Sequence, residues 1–218
     1  MAELSRREML KRVVVAGAAA SWPGLRAASA SATTGAVAQD EPFETLDAAE
    51  GEALRAIVAR LIPADHLGPG GLEAGAATYI DRALAGPLAG SRDAYRDGLA
   101  ALDVRARAAQ GDRFAALDPA AQDALLGDLE MNVPAGFPRG AAAFFELLRT
   151  HAIQGTFSDP GHGGNADFIG WRMLGYPGIR TLVTPDLQRI DRMPPSRQVS
   201  AYDFPAFAAA RARRTRGG

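Results

Sequence analysis

Three histidines and their polar neighbours are the residues of this chain best suited to metal or acid–base chemistry. They are His66, His151 and His162, and the richest local polar cluster joins His162 with Asp159 and Asn165. Metal-binding histidines commonly occur as His-x-x-x-His or as two ligands on one helix, and neither spacing appears here. No nucleophile elbow, Ser-His-Asp order or paired-carboxylate motif stands out. An exported metal-dependent enzyme with its site near His162 remains an alternative, without support from spacing.

The other two histidines suit structural positions. His66 follows Asp65 in a turn, which predicts a solvated side chain. His151 lies seven residues after Phe144 and three after Leu148, on or near an apolar helix face. That spacing predicts a hydrogen-bonded core histidine rather than a ligand.

The composition excludes several kinds of redox and covalent chemistry. The chain has no cysteine, so it has no disulfide, no thiolate nucleophile, no cysteine-ligated iron–sulfur cluster and no Cys-x-x-Cys-His haem attachment. Lys11 is the only lysine and lies near the N-terminus. Schiff-base chemistry and a lysine phosphate loop are therefore excluded from the rest of the chain.

The N-terminus resembles a twin-arginine export signal, whose usual form is Ser-Arg-Arg-x-Phe-Leu-Lys. Residues 5–11 read SRREMLK, with the arginine pair at Arg6 and Arg7 and Met9 in the phenylalanine position. A short apolar run and an Ala-Ser-Ala cleavage site at residues 28–30 or 30–32 follow. The apolar run is well below the roughly 20 residues that span a bilayer. We therefore expect a removable signal over residues 1–30, folded export, and a periplasmic or cell-envelope product.

The charge balance after this segment is mildly acidic. The chain has 24 basic and 25 acidic residues, and residues 1–30 hold five and two of these, which leaves a net charge of −4. Dispersed charge of this kind gives no footprint for nucleic acid. We expect a linker over residues 31–44, a helical domain over residues 45–182 and an extended tail over residues 183–218.

Apolar residues recur at helical spacing through most of the chain and predict five amphipathic helices. The stripes are Leu54, Ile57, Val58 and Leu61; Ala76, Tyr79, Ile80 and Ala83; Tyr95, Leu99, Leu102 and Ala106; Ala121, Leu125 and Leu129; and Ala141, Phe144, Phe145 and Leu148. Asp47 with Glu50, and Asp118 before Pro119, predict helix starts, and Pro63 predicts a helix end. A short helix is expected over residues 167–174. No two-residue alternation predicts a strand, so the fold class is all-α and bundle-like.

A glycine-rich segment follows the fifth stripe. Residues 155–165 read GTFSDPGHGGN, and residues 170–178 read GWRMLGYPG. Asp159 before Pro160 predicts an Asx turn, and Asn165 is suited to the left-handed region or to capping the next helix. We therefore expect an ordered loop, either structural or partner-binding, whose main residues are Phe157, Asp159, His162, Asn165 and Trp171.

These two stretches resemble the hallmark of the gluconate 2-dehydrogenase subunit 3 family, whose usual form is Gly-x-Phe-Ser-Asp-Pro-x-Tyr-Gly-Gly-Asn followed by Gly-Trp-x-x-x-Gly-Tyr/Phe-Pro-Gly. His162 stands where tyrosine is common. The resemblance covers about residues 45–180 and also includes residues 61–65, 79–81 and 95–103.

The resemblance implies a non-catalytic small subunit of a flavin-dependent sugar or polyol dehydrogenase. It implies a large flavoprotein partner of the glucose-methanol-choline type, escort of that partner through the twin-arginine translocase, and electron transfer to a multihaem cytochrome c. FAD and haem c would belong to the partners, and this chain would hold no cofactor. A stand-alone envelope binding module remains a second alternative.

Overall fold

The computed structural model describes residues 43–66, 68–133 and 135–207. Helices and short 3₁₀ turns make up its regular structure, and this part of the chain contains no β-strand. The α-helices are α1 Ala48–Leu61, α2 Ala76–Leu84, α3 Arg92–Gln110, α4 Pro119–Glu130, α5 Ala141–Phe157 and α6 Ile169–Leu174. The predicted all-α class is confirmed. The signal, with Arg6 and Arg7, and nearly all of the linker lie outside the described residues.

Helix α1 begins and ends where the local chemistry of the sequence predicts. The Glu50 amide donates to Asp47 Oδ1 at 2.8 Å and the Asp47 amide donates to Glu50 Oε2 at 3.0 Å, which forms a reciprocal capping box. The helix stops at Leu61 because Pro63 restricts the residue before it. Leu54, Ile57 and Val58 are fully buried, so the predicted apolar face is the core face.

Helix α4 also starts as predicted, but its buried face is slightly rotated. The Asp118 carboxylate accepts hydrogen bonds from the amides of Ala120 and Ala121, and Pro119 occupies the first helical position. Ala121, predicted to face inward, is only half-buried, whereas the next residue, Gln122, is buried. Gln122 is tolerated there because its side-chain amide donates to the Phe114 carbonyl at 3.1 Å.

Helix α5 is the centre of the bundle and contacts each of the other five α-helices. Phe144, Phe145 and Leu148 lie in the buried apolar cluster, as predicted. Close approach to α3 requires Gly98, since a Cβ there would lie 2.3 Å from Phe144 Cε2. The central position of α5 means that its C-terminal end, at Phe157, has a fixed place in the fold.

The chain after α5 departs from the predicted pattern. The short helix expected over residues 167–174 begins only at Ile169, because Asp167 and Phe168 adopt left-handed conformations with φ of 50° and 59°. Beyond Leu174 the described chain has the 3₁₀ turns Pro185–Gln188 and Ala201–Asp203, and its last residues, 205–207, are helical. Within the described ranges, no helix has the length and apolar character needed to cross a membrane.

Candidate functional site

The glycine-rich segment folds back onto the last turn of α5. We call residues 158–165 the glycine loop. Its last amide, that of Asn165, donates to the Gly155 carbonyl at 2.7 Å. Gly164 lies so close to this turn that a Cβ on it would sit 2.1 Å from the Gly155 carbonyl oxygen. The loop is therefore packed tightly against helical backbone, which only glycine permits at this position.

Phe157 belongs to α5 and not to the loop that the sequence suggested. The helix continues through Gly155 and Thr156 and ends at Phe157. Gly155 does not break the helix; instead it makes room for α2, because a Cβ there would lie 2.8 Å from Ala76 Cα. Its role is therefore close helix packing.

Asn165 is the polar centre of the loop. It is fully buried and left-handed, with φ of 46°. Its side-chain amide donates to the Ser158 carbonyl at 2.7 Å, and its Oδ1 accepts from the Gly170 amide at 2.8 Å. One side chain thus joins the start of the loop to the first turn of α6. The left-handed conformation agrees with the prediction for Asn165, whereas the N-cap position of α6 is occupied by Phe168.

Trp171 fixes α6 to the end of α5. The ring is buried, and its indole N–H donates to the Phe157 carbonyl at 2.9 Å. The rings of Phe168 and Tyr176 pack on it at centroid distances of 5.3 and 4.9 Å. Helix α6 can approach this closely because residue 170 is glycine, where a Cβ would lie 1.9 Å from the Thr156 carbonyl oxygen.

Asp159 ties the loop to a distant part of the chain. Its Oδ1 accepts from the Gly161 amide at 2.8 Å, which forms the predicted Asx turn. The same carboxylate accepts from the Ser200 hydroxyl at 2.6 Å and from the Ala201 amide at 2.7 Å. We call Asp159, Ser200 and Ala201 the clasp. Nothing in the sequence indicated that residues beyond 182 return to the loop.

His162 is exposed, and its ring meets the edge of Tyr202 at a centroid distance of 5.5 Å. Within the polar cluster suggested for His162, Asp159 and Asn165, the His162 amide donates to the Asp159 carbonyl at 2.9 Å. The Asp159 carboxylate binds Ser200 and Ala201, and the Asn165 side chain binds the backbone of Ser158 and Gly170. Over the described ranges, no group of three or more histidine, aspartate or glutamate side chains is placed to hold a metal ion.

The remaining histidines occupy the predicted environments. His66 is exposed in its turn. His151 is buried in the bundle, where its Nδ1 lies 3.0 Å from the Tyr95 hydroxyl and its ring stacks on that of Tyr95. Burial lowers the pKa of His151 and raises that of Tyr95, which keeps both groups neutral near pH 7. Both are core residues of the bundle.

Asp81 is a second organising carboxylate, and sequence reasoning noted it only as part of a short stretch in α2. It is buried and accepts three backbone hydrogen bonds, from the amides of Glu44, Thr45 and Leu46 at 2.7, 3.0 and 2.9 Å. Asp81 directly follows Ile80, which belongs to the apolar stripe of α2. This position beside the stripe was the signal in the sequence that Asp81 could be buried. Asp81 fixes the segment through which the chain enters α1.

The family comparison covers the elements described above. The family model described as gluconate 2-dehydrogenase subunit 3 matches residues 48–178, from the start of α1 past α6. The match includes the glycine loop, Asn165 and Trp171. The search of curated proteins and the search of solved structures found no match. Members of the gluconate 2-dehydrogenase subunit 3 family are accessory subunits of a dehydrogenase complex. The matched residues form more than half of the chain, so the chain belongs to this family.

Proposed function

We propose that this chain is a non-catalytic small subunit that binds and stabilises a flavoprotein of the glucose-methanol-choline type. FAD would belong to that partner, and haem c to a cytochrome subunit that accepts its electrons. The observation that carries the proposal is how the side chains of the family segment are used. The side chains of Asn165 and Trp171 bind backbone, and that of Asp159 binds Ser200 and Ala201, so these groups maintain the shape of a surface.

The geometry favours support over direct contact for most of this segment. Asn165 and Trp171 are buried, so they hold α5, the loop and α6 together beneath the surface. His162, which is exposed, lies at the surface of the same loop. A partner would therefore meet a rigid loop whose form is set by buried hydrogen bonds, which reduces the entropy lost on binding.

Co-expression with the flavoprotein subunit tests the binding role. An affinity tag on this chain should recover the flavoprotein with its flavin absorbance in a fixed ratio. The separated small subunit should carry neither flavin, haem nor metal after dialysis. Stoichiometric metal, or a flavin that survives dialysis on the small subunit alone, would contradict the accessory role.

The export role is a separate part of the proposal and rests on the sequence of residues 1–30. Arg6→Lys combined with Arg7→Lys should abolish translocation of this chain and of the flavoprotein with it. Arg26→Lys, in the same segment but outside the pair, is the matched control and should leave export unchanged. Normal translocation of the double variant would show that another route operates.

A further inference from the structure

The segment between α6 and the clasp forms a loop whose two ends are fixed to the folded body. We call residues 179–196 the arm. At its base the Arg197 amide donates to the Pro177 carbonyl at 2.9 Å. Gly178 passes so close to Arg197 that a Cβ there would lie 1.8 Å from the Arg197 carbonyl oxygen. The clasp at Ser200 holds the chain immediately beyond the base.

The arm is longer than a simple connection requires. Loops above about 12–15 residues with little secondary structure are uncommon in compact domains and are usually functional. The arm contains one 3₁₀ turn, Pro185–Gln188, and returns to within hydrogen-bonding distance of its start.

The arm exposes large apolar side chains. Leu182 is 74% exposed, Met193 is 72% exposed and Ile190 is fully exposed, and Val183 is also exposed. Leu174 and Tyr176 add apolar surface beside the base. Single exposed apolar residues are ordinary, but their concentration in one loop marks an interaction surface.

The charged side chains of the arm bind one another, which identifies the kind of surface that it fits. Arg189 binds Asp191, with an Nε to Oδ1 distance of 2.9 Å, and Arg192 pairs with Asp186. Arg180 donates to the Pro195 carbonyl at the base. Segments that bind anionic membranes or nucleic acid present basic groups to the ligand. Here three arginines stand beside two aspartates, so the arm carries a net charge of only +1, which favours an apolar protein surface.

We propose that the arm is the docking segment for the flavoprotein subunit, with Leu182, Val183, Ile190 and Met193 entering an apolar groove on that partner. The inference rests on the proposed function and assigns the main contact to the arm, which the glycine loop supports through the clasp. The hydrogen bond between Arg197 and Pro177 at the base, together with the clasp, fixes both ends of the arm before binding. Fixed ends lower the ordering cost when the arm docks.

Binding of the flavoprotein by the full-length chain tests the arm. The test variant combines Leu182→Ser, Val183→Ser, Ile190→Ser and Met193→Ser. The matched control combines Val104→Ser, Met131→Ser and Val133→Ser, which are exposed to a similar degree elsewhere on the molecule. The arm variant should weaken the Kd on the order of 30-fold or more, since interface hot spots reach this size. The control should stay within about threefold of wild type, as expected for surface substitutions.

The possible outcomes distinguish a failure of the docking inference from a failure of the proposed function. If the wild-type chain does not bind the flavoprotein, the proposed function fails. If the wild-type chain binds and the arm variant binds equally well, only the docking inference fails. The arm variant could also keep flavoprotein binding but lose self-association or binding to vesicles of anionic phospholipid. Either result would assign the arm to another occupant and overturn the inference. Amides of residues 179–193 should also gain hydrogen-exchange protection in the complex.

Discussion

Ser200 and Asp159 are 41 positions apart, yet the Ser200 hydroxyl donates to Asp159 Oδ1 at 2.6 Å. The Ala201 amide donates to the other carboxylate oxygen at 2.7 Å, so one side chain holds two groups of the returning chain. Ser200 is buried, and Asp203 accepts from its amide, which completes a capping box around the 3₁₀ turn. The clasp therefore connects residues within the matched family region to residues beyond it.

Removing the Asp159 carboxylate should detach the returning chain. Asp159→Ala leaves the Gly161 and Ala201 amides and the Ser200 hydroxyl without their acceptor. We expect a loss of about 1–3 kcal/mol in the free energy of unfolding by urea, because hydrogen bonds to a charged group are the stronger kind. Amide hydrogen exchange at residues 197–204 should accelerate more than exchange in α3.

Asp191→Ala is the control for this clasp variant, since Asp191 is an exposed carboxylate whose partner, Arg189, is also exposed. Its effect should stay within about 0.5 kcal/mol. Equal exchange rates at residues 197–204 in Asp159→Ala and wild type would show that the clasp contributes nothing to holding the chain.

Trp171 should behave as a core residue. Trp171→Phe keeps a ring but leaves the Phe157 carbonyl without its donor, which should cost about 1–3 kcal/mol. Trp171→Ala should cost about 3–5 kcal/mol. After removal of residues 1–30, Trp171 is the only tryptophan, so its emission reports directly on this site during unfolding. Tyr176→Phe, on the exposed side of the same ring cluster, should have little effect. An unchanged melting temperature in Trp171→Ala would show that the ring is not part of the core.

The sequence predicts the helices of this protein well because their signals are local. The caps at Asp47 and Asp118 and the stripe of α1 depend only on residues within a few positions. The start of α6 was misplaced because Asp167 and Phe168 adopt left-handed conformations, which a phenylalanine does not signal, and the Phe168 ring packs on Trp171. Tertiary context decides such positions.

The predictable part of the candidate site was likewise its local part. The Asx turn at Asp159 follows from the adjacent proline, and the left-handed Asn165 follows from residue type. The bonds from Asp159 to Ser200 and from Asp81 to the segment before α1 join residues far apart in the chain. No short-range pattern contains that information. The expected loop wrongly included Gly155 for the same reason, since the role of this glycine depends on Ala76 of another helix.

Asp81 should be essential for anchoring the chain before α1. Asp81→Asn keeps the shape but replaces one acceptor oxygen with a donor, so at least one of the Glu44, Thr45 and Leu46 amides loses its partner. The free energy of unfolding should fall by about 2 kcal/mol, and exchange at residues 44–46 should accelerate. Asp93→Asn, an exposed substitution in α3, is the control. Preserved protection at residues 44–46 would show that another group holds this segment.

The buried pair of His151 and Tyr95 should make stability depend on pH in a defined direction. Burial lowers the pKa of His151 below its ordinary value of about 6.5, so between the two pKa values the unfolded chain binds more protons than the folded one. The contribution of His151 to the free energy of unfolding should therefore be fully present above about pH 7. It should fall as the pH drops below about 6.5, by at most about 1.4 kcal/mol per pH unit.

Variants separate the pH slope from a general loss of stability. His151→Phe should be less stable near pH 7, because the Tyr95 hydroxyl loses its hydrogen-bond partner in a buried position. Its slope between pH 7 and pH 5 should nevertheless be shallower than that of wild type, since the titrating group is gone. His66→Gln removes an exposed imidazole and should retain the wild-type slope. Urea unfolding at several pH values measures both quantities, and a slope that His151→Phe leaves unchanged would assign the pH dependence to other groups.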